Sequence, residues 1–524
     1  MRGPGWRQRL RARAEASPAY RWWVLWVVLA GLLGTNILFT VFVVALPQVA
    51  CDLGHLHCRT GQNVNVSAVT WVVTGPMLAF GVIAPLAGRA SDLWGHRRLY
   101  LAGLVLEIVV AVASAAAPDV GVLIVARTLG GLLGASIGAA SMALVLGAFS
   151  REDRVTALGW WSLVGAGGPV LGVAVGGPLI EHFGWRWLFV MQVPVLVAAL
   201  ALAAAVLPPR AAGRAAPVAQ GRRSARMDWA GAGTVGVAVG AFLLALNRGP
   251  EWGWTSPGVV GCFAVAVVGT GIFSAVERRA GDPVFPLHYL RRRNVVFPLT
   301  AQACANFAYL GAFFLAPLLL ENVFGYGEGA AGFLSLPRPV VFSAIAPVAG
   351  YVAVRIGERT SAVVGTAAVV ASMVVFALAG PHTGVAAVEV AFVLSGVGLG
   401  VSSPSLSATI ANEFSAEELG TASAAQQLVN QVGTVAGIQV MQTVQAAAAH
   451  GQRGWGLLSS FHLAYVVGGV VALVGVAAAA LLRSTVRAVP ALDVFEALDA
   501  TERPPVVEGE IGDVVGGELR LGSS

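Results

Sequence analysis

The stretch Gly165-Ala-Gly-Gly-Pro-Val-Leu-Gly-Val-Ala-Val-Gly-Gly-Pro178 lies within an apolar run of residues 156–179. That run is long enough to cross a bilayer core of about 30 Å. In water, glycine and proline would disfavour a helix by about 1 and 3 kcal/mol per residue. In lipid the backbone groups must still pair, so a helix is predicted. Gly168, Gly172 and Gly176 recur every fourth residue and predict a face where another helix packs closely.

The composition of the whole chain is that of a membrane protein. The chain has 524 residues, of which 56% are hydrophobic and 11% charged, and its mean hydropathy is +0.75. These values exclude an ordinary soluble protein. All 33 basic residues are arginine. They lie between apolar runs rather than along one face, so no nucleic-acid partner is expected.

Apolar runs long enough to span a membrane recur along the chain and predict an all-α membrane protein. Fourteen spans are predicted, roughly at 22–46, 66–88, 99–117, 120–147, 156–179, 187–207, 229–246, 257–276, 295–320, 330–353, 361–380, 385–411, 419–446 and 462–482. An even number places both termini on one side. If that side is the cytoplasm, the outer loops contain only Arg59, Arg186, Arg248 and Arg453, as the positive-inside rule requires.

The same features divide the chain into five regions. The acidic carboxy-terminal region has a low apolar content, which predicts disorder. The predicted regions are a basic cytoplasmic amino terminus (1–21), a six-helix bundle (22–207), cytoplasmic linkers with two extra spans (208–294), a second six-helix bundle (295–485) and an acidic cytoplasmic tail (486–524).

A charged motif, Gly88-Arg-Ala-Ser-Asp-Leu-Trp-Gly-His-Arg-Arg98, follows the second predicted span. Gly88 and Gly95 are predicted to permit a tight turn. The Asp92 carboxylate is predicted to accept hydrogen bonds from the amino-terminal N–H groups of a helix, and to pair with Arg97 or Arg98. The alternative is an ordinary basic loop with one stray acid.

These motifs resemble the major facilitator superfamily, and within it the fourteen-helix drug:proton antiporters. The resemblance covers roughly residues 25 to 485 and includes the run Trp185–Pro194. It implies two six-helix bundles plus two inserted helices, alternating access, and export of lipophilic or amphipathic molecules with proton uptake. It assigns the fifth span as the antiporter-motif helix, with Gly165, Gly168, Pro169, Gly172, Gly176, Gly177 and Pro178 as its motif residues.

The resemblance also gives the charged motif a role. It implies a latch that holds the cytoplasmic gate closed, formed by Gly88, Asp92, Gly95, Arg97 and Arg98. The second half contains only a partly matching counterpart of this motif, at residues 350–359. Val354 occupies the acid position there, which weakens any second latch.

The residues expected to handle protons depart from the family pattern. Arg127 matches the family arginine of the fourth span, although Gly130 replaces a glutamine. An intramembrane arginine faces a partner or a wet cavity, or it snorkels towards the surface. In the first span Leu38 stands at the usual acid position, which leaves Asn36 as a polar candidate of that span.

Three other carboxylates are candidates for the proton carrier, because burial can raise a carboxylate pKa to near neutrality. Glu107 lies in the middle of span three, Glu321 near the outer end of span nine, and Glu389 in span twelve. The third helix of this fold usually lies at the periphery, which weighs against Glu107. The hypothesis is that Glu107 or Glu389 takes over protonation.

Span thirteen carries a group of amides. Gln426, Gln427, Asn430 and Gln431 fall within two turns of a helix and are candidates for substrate contact. Hydrogen bonding to neighbouring helices is the equal alternative. Arg338 begins span ten, where it is either a surface anchor or a family feature.

Cysteine, histidine and acid patterns add little chemistry. Cys51 and Cys58 flank two histidines in the first outer loop, and a disulfide there would suit an oxidising compartment. A metal site at those histidines is a weaker alternative, and no cofactor is predicted. No nucleophile–base pairing or phosphate loop is found, so an enzyme is not predicted.

The predicted function is export of a small molecule across a bacterial-type cytoplasmic membrane, with protons and the lipid bilayer as the other partners. Three alternatives remain open. They are a dedicated exporter of an endogenous metabolite or lipid, a facilitator without proton coupling, and a membrane sensor that transports nothing.

Overall fold

The computed structural model describes most of the predicted membrane part of the chain. The described residues are 19–37, 45, 48–49, 52–53, 71–207, 227–449, 452 and 454–483. The predicted tail, most of the linker before the seventh span, and the predictions for Leu38, Cys51 and Cys58 lie outside them. Within the described residues the regular structure is entirely helical.

Helices of 17 to 31 residues follow one another along the described chain. They are α1 (Tyr20–Asn36), α2 (Trp71–Trp94), α3 (His96–Ala115), α4 (Val120–Ala148), α5 (Arg154–Phe183), α6 (Arg186–Val206), α7 (Trp229–Trp252), α8 (Pro257–Glu277), α9 (Arg293–Asn322), α10 (Pro337–Ile356), α11 (Glu358–Leu378), α12 (Gly384–Glu413), α13 (Leu419–Ala449) and α14 (Leu458–Ala480). A seven-residue helix (Glu328–Leu334) precedes α10, and 3₁₀ turns at Leu287–Arg291 and Gly454–Leu457 precede α9 and α14.

These helices overlap the fourteen predicted spans in order. Among the described residues, eleven helical segments are long and apolar enough to cross a membrane. The helices α1, α5 and α13 fall outside that criterion. The all-helical membrane architecture is therefore confirmed, whereas the count of fourteen spans stays a prediction.

The helix boundaries follow from local chemistry. The Asp119 side chain accepts a hydrogen bond from the Val122 N–H and caps α4. Gly95 has a φ of +93°, which a residue with a side chain rarely adopts, and separates α2 from α3. The prediction that Gly88 belongs to this turn is wrong, because α2 remains helical as far as Trp94.

Two sets of helices each have an apolar core. The first half, α1 to α6, packs around residues that include Leu25, Tyr100 and Leu196. The second half, α9 to α14, packs around residues that include Phe376 and Tyr465. Helices α7 and α8 pack on each other, and α7 also packs against α2 and α13.

The two halves meet along two main helix pairs. Helix α5 packs against α10, and α2 packs against α13. The ends of α2, α4, α10 and α12 and the starts of α3, α5, α11 and α13 lie at one end of the molecule, here called the arginine-rich end. An apolar cluster at that end joins the halves and includes Leu146, Val155, Ala353 and Leu419.

Candidate transport and coupling sites

Asp92, in the last turn of α2, caps a helix of the opposite half. Its carboxylate accepts hydrogen bonds from the Gly420 N–H at 2.7 Å, the Thr421 N–H at 2.8 Å and the Thr421 hydroxyl at 2.7 Å. These N–H groups belong to the first turn of α13, where helical N–H groups lack intrahelical partners and the helix dipole is positive. A carboxylate of the first half therefore binds the start of a second-half helix.

Gly88 makes this contact possible by its lack of a side chain. A Cβ atom at Gly88 would lie 2.3 Å from the Ala424 Cβ and 2.5 Å from the Gly420 carbonyl oxygen. Both distances are shorter than van der Waals contact. The glycine therefore permits close approach of α2 and α13, and it does not form the turn that the sequence suggests.

The predicted pairing of Asp92 with Arg97 or Arg98 is wrong. Arg97 donates instead to the backbone carbonyls of Leu207 and Ala204 at the end of α6, at 2.9 and 3.1 Å. Arg98 is exposed, and neither arginine forms an ion pair with Asp92 among the described residues. Both lie on α3, beyond the Gly95 break, and Arg97 lies against the first half.

Arg154 forms a second polar contact between the halves. This buried side chain donates to the Leu146 carbonyl within the first half, to the Ala411 carbonyl at 3.2 Å, and to the Asn412 side-chain oxygen at 3.0 Å. In the sequence it looks like one of many basic residues beside a span, and no local pattern separates it from them.

The interface of α5 and α10 is lined by small residues. A Cβ atom at Gly159 would lie 2.5 Å from the Ala346 carbonyl oxygen, and one at Gly167 would lie 3.1 Å from the Ser343 hydroxyl oxygen. Helices pack this closely only where side chains are absent. The antiporter-motif helix therefore lies directly against the second half.

Of the motif glycines, Gly168 faces the first half. A Cβ atom at Gly168 would lie 3.0 Å from the Cβ of Asn36 on α1. Gly172 and Gly176 are buried, and Gly165 is half-buried. For Pro169, Gly177 and Pro178 the structure describes the helical backbone alone.

Glu107 and Arg127 lie together inside the first half. Glu107 is only 6% exposed and points inward from α3, and its Oε2 atom has no hydrogen-bond partner among the described residues. The Arg127 charge acts on this carboxylate, and the Arg127 guanidinium lies 5.8 Å from the centre of the Phe189 ring. A Cβ atom at Gly130 would lie 3.7 Å from the Glu107 carboxylate.

Gln192 extends this cluster and was not found from the sequence. Its side chain lies close enough to the Glu107 carboxylate to act on it, and it donates to the Gly34 carbonyl at 2.9 Å. The cluster thereby connects α3, α4 and α6 with α1. An isolated glutamine in an apolar span gives no signal of its own, because its partners are remote in sequence.

The other predicted acids lie away from this cluster. Glu389 lies in the second turn of α12, with one buried carboxylate oxygen that has no partner among the described residues. Glu321 is half-buried at the carboxyl end of α9. Asn36 ends the described part of α1, where it packs on the antiporter-motif helix.

The four amides of α13 divide into two pairs. The Asn430 oxygen accepts from the Asn306 side chain at 3.1 Å, and Gln431 donates to the Met77 carbonyl of the first half at 3.1 Å. These two therefore bond neighbouring helices. Gln426 and Gln427 are buried, and their Oε1 and Nε2 atoms respectively have no partner among the described residues.

Arg338 is fully buried in the second half, so the surface-anchor alternative is wrong. Its guanidinium donates to the Tyr309 carbonyl and lies 3.7 Å from the centre of the Tyr309 ring. The Nε and Nη1 atoms have no partner among the described residues.

An all-helical membrane protein with two packed halves and polar clusters at and beside their interface has the architecture of a membrane transporter. The chain belongs to the Major Facilitator Superfamily, whose profile matches residues 27–438.

The chain is similar to known members of this family. It is 28% identical to the multidrug resistance protein Stp of Mycobacterium tuberculosis over 408 residues, which cover 78% of this chain and 74% of that protein. It is also 28% identical to the tetracenomycin C resistance and export protein of Streptomyces glaucescens, over 81% of this chain and 76% of that one. The crystal structure of the human organic anion transporter MFSD10 matches its fold with a TM-score of 0.61 and 18% identity, over 88% of this chain and all of that one.

Proposed function

We propose that this protein exports lipophilic or amphipathic drug-like molecules from a bacterial cell in exchange for protons. It does so by alternating access between two six-helix bundles, with α7 and α8 inserted between them and both termini in the cytoplasm. Fourteen spans cross the membrane. The names of the relatives, a multidrug resistance protein and an antibiotic resistance and export protein, support this substrate class.

The gate at the arginine-rich end is closed in this conformation. Asp92 of α2 binds the start of α13, and Arg154 of α5 binds the end of α12, so both supply polar contacts between the halves at that end. With the positive-inside rule, this end faces the cytoplasm. The described conformation is then outward-facing, and release of Asp92 from the start of α13 opens the cytoplasmic side.

The proton carrier is Glu107. The observation that carries this proposal is the cluster that the buried Glu107 and Gln192 form with the half-buried Arg127. The acid absent at Leu38 of the first span is replaced by one from α3 that reaches the same family arginine. Protonation removes the charge that attracts Arg127, and loss of the proton restores it.

A series of contacts connects Glu107 to the interface along which the halves move. The chain of contacts runs from Gln192 to the Gly34 carbonyl of α1, and from Asn36 of the same helix to Gly168 of α5. Helix α5 then packs against α10 through Gly167. A change at Glu107 is thereby transmitted to the surface along which the halves move.

Gln426 and Gln427 contact the substrate in this proposal. Both carry a buried polar atom without a described partner, and such atoms are costly unless a ligand or water satisfies them. Gln427 also lies against Gly138 of the first half, which places it between the halves. Asn430 and Gln431 hold α13 to its neighbours instead.

A growth-inhibition panel of cells with and without the protein first identifies compounds that the protein exports, with tetracenomycin C and ethidium among those tested. The test is then pH-driven exchange of these compounds in proteoliposomes. Glu107→Gln is expected to abolish pH-driven exchange, whereas Glu389→Gln, the matched control, leaves it intact. Unchanged exchange in Glu107→Gln would refute Glu107 as the carrier. Transport that persists when the pH gradient is collapsed would favour a facilitator.

A further inference from the structure

A cavity of about 290 Å³ lies between the halves at the arginine-rich end, beside the contact of α5 with α10. We propose that it binds the phosphate headgroup of an anionic phospholipid, which supplies the negative charge that Val354 lacks. The cavity is lined by Arg21, Trp22, Phe149, Asp153 and Thr156 of the first half and by Tyr351, Val354 and Arg355 of the second.

The charge of the lining favours an anion. Arg21 pairs with Asp153 at 2.6 Å, and this pair is partly exposed. Arg355 is exposed and forms no ion pair with any residue in the described ranges. Two guanidinium groups therefore face one carboxylate, and one positive charge is left uncompensated in the cavity.

Comparison of the Gly88 and Gly350 contacts shows which charged group is missing at this cavity. In the first half, Gly88 packs on the start of α13 and Asp92, four residues later, accepts hydrogen bonds from Thr421. In the second half, Gly350 packs in the same manner on the start of α5. A Cβ atom at Gly350 would lie 2.9 Å from the Val155 carbonyl oxygen and equally close to the Thr156 Cα.

The residue four positions after Gly350 is Val354, which has no carboxylate to bind the start of α5. Thr156 lies opposite Gly350 at the start of α5, but its hydroxyl donates to the Gly350 carbonyl at 3.4 Å, whereas the Thr421 hydroxyl donates to Asp92. The cavity lies where the missing acid would be. A phosphate placed there would contact Arg355 and restore a charged link between the halves.

The surroundings favour a lipid as the source of the phosphate. Trp26 and Trp160 pack edge to face at 5.1 Å, and the Trp160 indole donates to the Tyr351 hydroxyl at 3.3 Å. Tryptophan and tyrosine of this kind concentrate at the headgroup level of membranes. On α10, Val348 and Val352 are exposed and offer an apolar surface for acyl chains. In other membrane proteins, basic pockets between spanning helices bind anionic lipid headgroups.

The test measures lipid binding directly and does not depend on transport or protons. The full-length protein is purified in phosphatidylcholine nanodiscs, and its thermal unfolding is followed as the mole fraction of phosphatidylglycerol rises. The wild type is expected to be stabilised with a saturable dependence. Arg355→Gln should raise the half-saturating fraction about fivefold, since one cation near the surface contributes that factor. The matched control is Arg359→Gln, because Arg359 is exposed on α11 and lies outside the cavity. This variant should leave the half-saturating fraction unchanged.

A second variant supplies the missing acid. Val354→Asp is expected to abolish the dependence on phosphatidylglycerol, because its carboxylate takes the place of the headgroup. Equal lipid dependence of wild type, Arg355→Gln and Val354→Asp would overturn the proposal. Stabilisation of the wild type in phosphatidylcholine by inorganic phosphate or glycerol phosphate, to the same extent as by phosphatidylglycerol, would overturn the assignment to a lipid.

Discussion

The Asp92 carboxylate accepts hydrogen bonds from both the backbone N–H and the hydroxyl of Thr421, although 329 positions separate the two residues in the chain. This contact joins helices of opposite halves. Three hydrogen bonds to one charged group are strong, because each such bond contributes about 1.5–3 kcal/mol. The contact is therefore well suited to hold one conformation against another.

Asp92→Asn should weaken closure of the arginine-rich end. The asparagine keeps one acceptor but loses the charge, and its NH₂ group would face the N–H groups of α13. We expect drug transport to fall by at least about tenfold, in line with the loss of one charged hydrogen bond. Spin labels at Arg98 and Glu417 should report a wider distance distribution.

Asp119→Asn is the matched control, since Asp119 caps α4 within the first half. It should leave the label distances unchanged. Full transport by Asp92→Asn would contradict the latch.

Gly88→Ala should separate α2 from α13. Its methyl group would lie 2.3 Å from the Ala424 Cβ, and helix backbones cannot yield as a flexible side chain can. Overpacking of this kind costs about 1–3 kcal/mol. We expect lower thermal stability and a shift of the label distances in the same direction as for Asp92→Asn.

Gly134→Ala is the control for that change, because the nearest atom to its Cβ would be Phe80 Cδ2 at 3.8 Å. Helix propensity should make it neutral or slightly stabilising. If both alanine variants behave alike, close packing at Gly88 is not the cause.

Arg154→Met should destabilise the closed conformation. The substitution removes the hydrogen bonds to the Ala411 carbonyl and the Asn412 side chain. A double-mutant cycle with Asn412→Ala isolates the pairwise term, and a coupling of about 1.5–3 kcal/mol in thermal or denaturant unfolding is expected. Additive single effects would show that the pair contributes nothing of its own.

Arg338→Met should have the opposite effect on stability. The buried Arg338 guanidinium contacts the Tyr309 carbonyl and ring, but its Nε and Nη1 atoms have no partner among the described residues, and burying a charge with unpaired polar atoms is unfavourable. Replacement by an apolar side chain of similar volume is often neutral or stabilising. We expect an unchanged or raised melting temperature. A large loss of stability would contradict this expectation and show that the contacts with Tyr309 outweigh the cost of burying the charge.

Several parts of the site could be predicted from local patterns. The helix-capping role of Asp92 follows from an acid at the end of a span, and the small face of α5 follows from glycines at every fourth position. Close packing by Gly168 agrees with that face. In each of these cases one short segment supplies one side of the contact, although the helix that it meets lies elsewhere in the chain.

Other parts could not be predicted, because they depend on partners remote in sequence. Gly88 looks like a turn residue until α13 is known to lie against it. Gln192 and Arg154 show no local pattern, and their partners lie on other helices. The predicted pairing of Asp92 with Arg97 or Arg98 is wrong, because the break at Gly95 places both arginines on another helix.

By itself the sequence determined that this is an all-helical membrane protein of the Major Facilitator Superfamily. The physical reason is that lipid permits few ways to pair a backbone, so long apolar runs must be helices. Tertiary structure alone decided which helix surfaces meet, and so which carboxylate lies beside Arg127 and which glycines allow contact. Helix packing depends on shape between segments far apart in the chain, and a linear pattern does not contain that information.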